Sequence, residues 1–220
     1  MNKAIQFGEN AKGYDFPVLN EREIRAAAGI LFLLTFIAAV FVELKDNFLP
    51  IKYVLTVFLA DFTVRVFINP KFSPTLILGR LIVSNQTPEY VGSQQKKFAW
   101  VIGVILSATM FTLIVIVNSY SLITGVICVT CLVFLFFESA FGICLGCKFY
   151  PLIFKEKPKR CPGEVCDARS KQEIQKISKV QVLIVFSFAA LIFIAAWIFN
   201  DQFSKKPYDL FGGYTVSKSK

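Results

Sequence analysis

The chain is 220 residues long, 55% of them hydrophobic and 24 of them Phe, which is more apolar surface than one soluble core of this size buries. Lys and Arg outnumber Asp and Glu by 24 to 15, but no nucleic-acid-binding signature accompanies them, so we expect no nucleic-acid partner. The sequence contains no His, which excludes Ser-His-Asp and Cys-His catalysis and every metal site that needs an imidazole.

Long uncharged stretches predict helices that cross a membrane. The hydrocarbon core of a bilayer is roughly 30 Å thick, and about 20 helical residues are needed to span it. Four apolar blocks approach or reach this length: residues 26–42, 98–117, 121–137 and 180–199. We therefore expect these segments to contact a lipid bilayer.

A fifth apolar segment, residues 51–68, carries two charges. Asp61 and Arg65 are four residues apart, so a helix places them on one face, where they can pair with each other. The Leu, Val and Phe residues around them favour a full span packed against other helices. The alternative is a re-entrant or surface helix, because an unpaired charge is costly at the centre of a membrane.

These segments predict an all-α fold, a multi-pass transmembrane helical bundle. It has five spans, or four spans plus a short membrane-embedded or interfacial helix, and the whole chain, residues 1–220, forms a single membrane domain. The expected spans are approximately residues 26–44, 51–68, 98–117, 121–147 and 178–199. The fourth span should run as one helix through Cys147, followed by a cysteine-containing loop over residues 148–170.

A short interfacial helix is predicted within the sequence "NPKFSPTLILGRLIVSN", between the second and third spans. Ser73 is suited to cap it and Pro74 to be its first residue. In this segment we expect Leu76, Ile77, Leu81 and Val83 to lie on the membrane, while Arg80 reaches the lipid headgroups.

Capping signals mark the ends of other helices. Asn20 can cap the first span, with Glu23 reaching back to it, and Ser170 with Glu173 forms a capping box. The helix that starts at Ser170 should continue into the last span without a break. The very short connection at residues 118–121 predicts that the third and fourth spans form an antiparallel hairpin.

The basic residues of the predicted loops lie mostly on the side of the N-terminus, and residues 148–170 carry many of them. The positive-inside rule then places the N-terminus in the cytoplasm and the C-terminus outside. Thiols at the cytoplasmic face are normally kept reduced, so we expect no stable structural disulfide there, while transient disulfides and metal thiolates stay open.

Six cysteines fall into three pairs: Cys128/Cys131, Cys144/Cys147 and Cys161/Cys166. If one helix runs from Cys131 to Cys147, these two residues are about 24 Å apart along its axis, so the first pair cannot join the others. We expect Cys128 and Cys131 to pack as small hydrophobic residues within their span.

The other two pairs, Cys144/Cys147 and Cys161/Cys166, can meet because the connection between them is bent by prolines. Three interpretations follow. The cysteines form a thiol–disulfide or sulfur-handling site, with nearby basic residues favouring the thiolate. Alternatively the four thiolates bind a metal ion, with zinc as the expected cofactor. The third interpretation is that they have no role beyond packing.

Glu138 is the remaining charge within the predicted spans. Its depth in the fourth span matches the depth of Arg65 in the second, so we predict that Glu138 pairs with Arg65, with Asp61 nearby. Such a cluster either fixes the register of the helices or forms part of an ion or proton relay.

Several motifs resemble those of a known group of proteins. In chain order they are "NPKFSP", "LGRLI", "PEYVGSQQKKFAW", "GICLGCKFYP" and "CPGEVCD". Over roughly residues 18–170 the chain is similar to a family of bacterial integral membrane proteins, domain of unknown function 4395. The resemblance implies a multi-pass protein of the bacterial cytoplasmic (inner) membrane and implies no particular activity.

Two classes of function follow from these residues. The leading hypothesis is a cysteine-based thiol/disulfide or sulfur relay at the cytoplasmic membrane face, acting with a soluble thiol protein of the thioredoxin type. The alternative is a non-catalytic membrane scaffold or a small transporter, whose cysteines are structural or bind zinc. Whether the protein is an enzyme stays open at this point.

Overall fold

The computed structural model describes residues 7–9, 17–147, 150 and 177–210. Most of these residues are helical, which confirms the predicted all-α class. The helices are α1 Glu21–Lys45, α2 Leu49–Thr63, α3 Pro74–Ile82, α4 Ser93–Phe111, α5 Leu122–Phe136, α6 Lys179–Ile198 and α7 Asn200–Ser204. Cys161, Cys166 and the predicted cap at Ser170 and Glu173 lie outside the described residues.

Three of the helices end in a π-helical turn, and short strands tie the loops together. The π-helical turns are Val64–Ile68 after α2, Thr112–Ile116 after α4 and Phe137–Phe141 after α5. Strand β1 (Val18–Asn20) pairs antiparallel with β2 (Tyr90–Gly92), and β3 (Ser119–Tyr120) pairs parallel with β4 (Tyr208–Asp209).

In the described part of the chain, four helices are long and apolar enough to cross a membrane: Glu21–Lys45, Ser93–Ile116, Leu122–Phe141 and Lys179–Ile198. On α6 the large apolar side chains of Phe186, Phe193 and Trp197 are all exposed, as expected for a helix that faces lipid. The segment that includes α2 contains Lys52, Asp61 and Arg65 and is not one of these four. A fifth span in this segment therefore stays a prediction. The chain is a helical membrane protein.

The hydrophobic core has two parts, one at each end of the bundle. At the end where α1 and α4 begin, Phe58 and Phe62 of α2 stack against each other beside Leu31 and Trp100. At the end where α1 finishes and α5 begins, the core contains Phe48, Ile51, Leu55, Met110 and Ile114. The buried side chains of α2 therefore contribute to both parts of the core.

Several local predictions are confirmed. The Asn20 side chain accepts a hydrogen bond from the Arg22 backbone N–H at the start of α1. Ser73 caps α3, with Pro74 as its first residue. A tight connection around Asn118 joins α4 and α5.

Two predicted helix boundaries are wrong. Helix α6 does not continue from an upstream helix, because Ser178 is extended and caps it in a capping box with Gln181. The fourth span does not run through Cys147, because Gly142 adopts a left-handed conformation (φ 66°) that ends the helix at Phe141. The expected separation of about 24 Å between Cys131 and Cys147 assumed one continuous helix, so it does not apply.

At the end opposite the start of α1, Lys52 attaches the C-terminal part of the chain to the bundle. Its side chain is fully buried, and Nζ donates to Asn118 Oδ1 at 2.7 Å. The same ammonium donates to the backbone carbonyls of Gln202 at 3.2 Å and Lys205 at 2.6 Å. These neutral acceptors replace the water that a lysine loses on burial.

Replacing Gly142 tests whether the break after α5 requires its left-handed backbone. We expect Gly142→Ala to destabilise the folded protein by about 1–2 kcal/mol, because a Cβ is disfavoured in this conformation. Gly142→Asn should lose less, since Asn tolerates it better. The measurement is the free energy of unfolding in detergent micelles.

The matched control is Gly125→Ala on α5, where an added Cβ would meet no atom within 4 Å. At this helical position alanine is expected to be neutral or to stabilise by up to about 1 kcal/mol. Equal losses of unfolding free energy in the Gly142→Ala and Gly125→Ala variants would contradict the conclusion that the break after α5 requires a left-handed backbone at residue 142.

Candidate functional site

A buried ion cluster joins three helices at the end of the bundle where α1 and α4 begin and α5 ends. Lys96 on α4 lies between two carboxylates: its Nζ donates to Glu21 Oε1 on α1 at 3.0 Å and to Glu138 Oε1 after α5 at 2.5 Å. Lys96 is 4% exposed. We call this end of the bundle, defined by Glu21, Lys96 and Glu138, the charged end.

The predicted pairing of Glu138 with Arg65 is wrong, because Glu138 pairs with Lys96 instead. The third span begins at Ser93, ahead of its predicted start at residue 98, which brings Lys96 into the first turn of a bundle helix. The predicted span, residues 98–117, leaves Lys96 in the preceding loop. A helix start at "GSQQKKFAW" was the signal that could have placed it next to Glu138.

The predicted pairing of Asp61 with Arg65 is confirmed. Arg65 Nε donates to Asp61 Oδ2 at 2.7 Å, and both side chains are almost fully buried. The Ser73 hydroxyl and the Thr75 backbone N–H donate to Asp61 Oδ1, at 2.8 Å and 2.9 Å. The guanidinium also lies over the Trp100 ring, 5.3 Å from its centroid. The pair thus fixes the start of α3 against α2.

Arg80 on α3 does not reach towards lipid headgroups, which corrects the interfacial prediction. It is buried, and its Nε donates to Glu23 Oε2 at 3.1 Å while its Nη2 donates to Glu9 Oε1 at 3.0 Å. Leu76, Ile77 and Val83 are also buried, rather than lying on the membrane, whereas Leu81 is exposed. Because Glu23 supplies a carboxylate from α1, the amphipathic helix α3 turns its basic residue inwards.

Cys144 and Cys147 form a disulfide just after the break at Gly142. Their Sγ atoms are 2.33 Å apart and their Cα atoms 5.1 Å apart. The Cys147 Sγ lies 3.6 Å from the Gln95 carbonyl, one residue from Lys96. The pair is oxidised in the structure, whereas the reducing compartment predicted for this face would disfavour a stable disulfide.

A close backbone approach holds the disulfide turn against α4. A Cβ added at Gly146 would lie 2.8 Å from the Ala99 Cβ, which is too close for any real side chain. Glycine at position 146 therefore allows the turn to pack directly on α4. The disulfide is supported by the helix that carries Lys96.

Cys128 and Cys131 are free thiols on α5, as predicted. Cys128 packs against the core at the far end of the bundle. The helix ends before Gly142, and Cys131 and Cys144 on either side of this break line one small cavity of about 70 Å³. Glu138 and Arg65 line the same cavity. A free thiol and the disulfide, from either side of Gly142, thus line the same cavity.

The four-cysteine zinc site stays a prediction. Among the residues that the structure describes, no group of three or more His, Cys, Asp or Glu residues could hold a metal ion. Cys144 and Cys147 are bonded to each other, so they would have to be reduced before their sulfurs could bind zinc. Cys161 and Cys166, the other two expected ligands, lie outside the described residues.

The fold and this site define a helical membrane protein with paired charges and a disulfide at one end of its bundle. The chain belongs to the family described as Domain of unknown function (DUF4395), whose family model matches residues 19–155. No curated protein and no solved structure matches the chain significantly. The matched region includes the charged end and Cys144–Cys147, and it stops before Cys161.

Removing the shared ammonium tests how much the charged end stabilises the fold. We expect Lys96→Met to lower the free energy of unfolding by about 3–5 kcal/mol, because it leaves two buried carboxylates without their cation. The measurement is equilibrium unfolding of the purified protein in mixed micelles.

Arg22→Met is the matched control at the same end of the bundle. Arg22 pairs with Glu89 at 2.6 Å, but its side chain is 34% exposed and that of Glu89 48% exposed. An exposed pair of this kind contributes about 1 kcal/mol or less. A similar loss of unfolding free energy in both variants would show that the buried ion pairs of Lys96 stabilise the fold no more than an exposed ion pair does.

Proposed function

We propose that the protein is a cysteine-based thiol/disulfide or sulfur relay at the membrane face, and that it acts with a soluble thiol protein of the thioredoxin type. The observation that carries the proposal is the disulfide between Cys144 and Cys147, which lies beyond the end of α5 at the charged end of the bundle. A Cys-x-x-Cys pair at a helix end is a common redox arrangement.

The position of the disulfide supports exchange with a partner outside the bilayer. Both cysteines are only partly buried, and the turn follows the last residue of an apolar helix rather than lying within it. Gly146 packs on Ala99, so the sulfurs are presented from a rigid helix. Rigid support matters because thiol–disulfide exchange requires a thiolate to approach one sulfur along a defined line.

The reaction is a balanced two-electron exchange. A thiolate of a partner dithiol attacks one sulfur of the Cys144–Cys147 bond, forming a mixed disulfide and releasing the other sulfur as a thiolate. The second partner thiol then attacks the mixed disulfide, so the partner leaves oxidised and Cys144 and Cys147 become a dithiol. In the proposed relay a disulfide between Cys161 and Cys166 accepts these two electrons and two protons by the same exchange.

The orientation is part of the proposal. We infer that the N-terminus and the charged end face the cytoplasm of a bacterial cell, with the protein in the cytoplasmic (inner) membrane. The excess of basic residues in the loops on this side supports that orientation through the positive-inside rule.

A second candidate is a non-catalytic membrane scaffold or a small transporter, with cysteines that are structural or bind zinc. Pairing among the buried charges favours the scaffold: Lys96 is matched by Glu21 and Glu138, and Arg65 by Asp61. Charges that satisfy one another in this way fix helix register without needing a transported ion.

Trapping a mixed disulfide tests the relay. The probe is purified thioredoxin whose resolving cysteine is replaced by serine, so that its remaining thiol can attack a disulfide but cannot complete the exchange. We expect a covalent adduct with the full chain in nanodiscs, detected by non-reducing gel electrophoresis. In a chain whose Cys161 and Cys166 are replaced by serine the adduct should still form, and in that background it should disappear in Cys144→Ser and in Cys147→Ser, because neither variant can form the disulfide that is attacked.

Cys128→Ser is the matched control, since Cys128 is a free thiol on α5, and it should form the adduct at the wild-type level. An unmodified protein that forms no adduct would overturn the relay. One bound zinc per chain, lost in Cys161→Ser, would instead support the zinc-binding scaffold. Labelling of reduced Cys144 by an impermeant maleimide from outside intact cells would overturn the proposed orientation.

A further inference from the structure

A cavity lies at the end of the bundle opposite the disulfide. It encloses about 300 Å³ between the last turns of α1 and the first turns of α5. Its inner walls are apolar, formed by side chains such as Val42, Ile51, Met110 and Ile114. This volume reaches the lower end of the range found for small-molecule sites. We call it the α1–α5 cavity.

Gly125 is an exposed residue in the wall of the α1–α5 cavity. In apolar helices a glycine usually allows another helix to approach closely. That is the case for Gly103, where an added Cβ would lie 2.4 Å from the Phe62 ring. Gly125 is different, because a Cβ there would meet no atom within 4 Å. The glycine therefore leaves space in the wall of the cavity instead of closing a helix contact.

The mouth of the cavity is acidic. Glu43 and Asp46, at the end of α1, both line it. Asp46 pairs with Lys206, whereas Glu43 makes no ion pair or hydrogen bond within the described part of the chain. The neighbouring Lys45 does not neutralise Glu43, because its ammonium lies over the Phe41 ring, 5.1 Å from the centroid. Among the residues that the structure describes, no cation thus pairs with this carboxylate at the mouth.

Aromatic rings lie beside these carboxylates. Phe48 and Tyr120 line the same cavity, and their ring centroids are 5.3 Å apart. Carboxylates together with aromatic faces form the usual environment for an ammonium group, which is attracted to the negative face of a ring. The apolar interior beyond them suits a hydrocarbon chain.

We propose that the α1–α5 cavity binds a single-chain cationic amphiphile of the long-chain amine class. The ammonium lies at the mouth between Glu43 and the Phe48 and Tyr120 rings, and the hydrocarbon chain extends past Gly125 towards Met110 and Cys128. This binding site is separate from the proposed thiol relay, since it lies at the other end of the bundle and involves no disulfide.

Photolabelling tests the site in the full chain, reconstituted in nanodiscs made only of phosphatidylcholine. The probe is dodecylamine carrying a diazirine at the end of its chain, and peptide mass spectrometry maps the label. We expect labelling of Met110, Ile114 or Cys128. The corresponding dodecanol probe should label about fivefold less, because it lacks the charge that Glu43 attracts.

Two variants and their matched controls separate the two parts of the site. Gly125→Leu should abolish labelling within the cavity by filling it, whereas Val126→Leu, at an exposed position of α5 that does not line the cavity, should not. Glu43→Gln should reduce amine labelling to the level of the alcohol. Asp201→Asn, an exposed carboxylate on α7, should leave it unchanged.

Three different results would overturn the proposed amine site. Equal labelling by the amine and alcohol probes, unaffected by Glu43→Gln, would show that the cavity is a non-selective apolar void. Cavity labelling that persists in Gly125→Leu would show that the chain lies elsewhere. Loss of labelling when phosphatidylethanolamine is added to the nanodiscs would assign the site to an aminophospholipid rather than to a single-chain amine.

Discussion

The shared ion pairs of Lys96 are the interaction on which the charged end depends. One ammonium joins Glu21 at the start of α1 to Glu138 at the end of α5, so three helices meet at one buried cation. Bringing these charges out of water is expensive, and only good mutual pairing compensates for it. Because Glu138 precedes Gly142 by one turn, the same contact also positions the break from which the disulfide turn begins.

The two ends of the bundle are stabilised by different chemistry. The charged end uses ion pairs, with Arg65–Asp61 and Arg80–Glu23 adding further links to α2 and α3. The opposite end is held by Lys52, whose ammonium binds neutral oxygens instead of carboxylates. Within the described part of the chain Glu43 makes no ion pair, beside the α1–α5 cavity, while the carboxylates Glu21, Glu23 and Glu138 at the charged end are paired. The proposed relay and the proposed amine site use these two ends separately.

Features that depend on neighbours in sequence were predictable. The apolar blocks gave the positions of the long helices, and the spacing of Asp61 and Arg65 was enough to predict their pairing. Ser73 with Pro74 was enough to predict the start of α3. In each case the interaction is local, so the sequence contains both partners within one or two helical turns.

Features that depend on tertiary contacts were not predictable from local pattern. Lys96 and Glu138 are 42 residues apart, and their pairing became possible only because α4 starts in the polar segment before its apolar block. Arg80 turns inwards because Glu23, 57 residues away, supplies a carboxylate. Gly142 looked like one more residue of a long helix, and only its left-handed backbone shows that Cys144 and Cys147 lie in a separate turn.

The rate at which a soluble phosphine reduces the Cys144–Cys147 bond tests the link between the charged end and the disulfide most directly. The comparison is between wild type, Lys96→Met and Arg22→Met, at a temperature where all three remain folded. Loss of Lys96 should loosen the end of α5 from α4 and lift Gly146 from Ala99, so reduction should become severalfold faster in Lys96→Met and stay unchanged in Arg22→Met. A wild-type rate of reduction in Lys96→Met would contradict the claim that the buried ion cluster positions the disulfide.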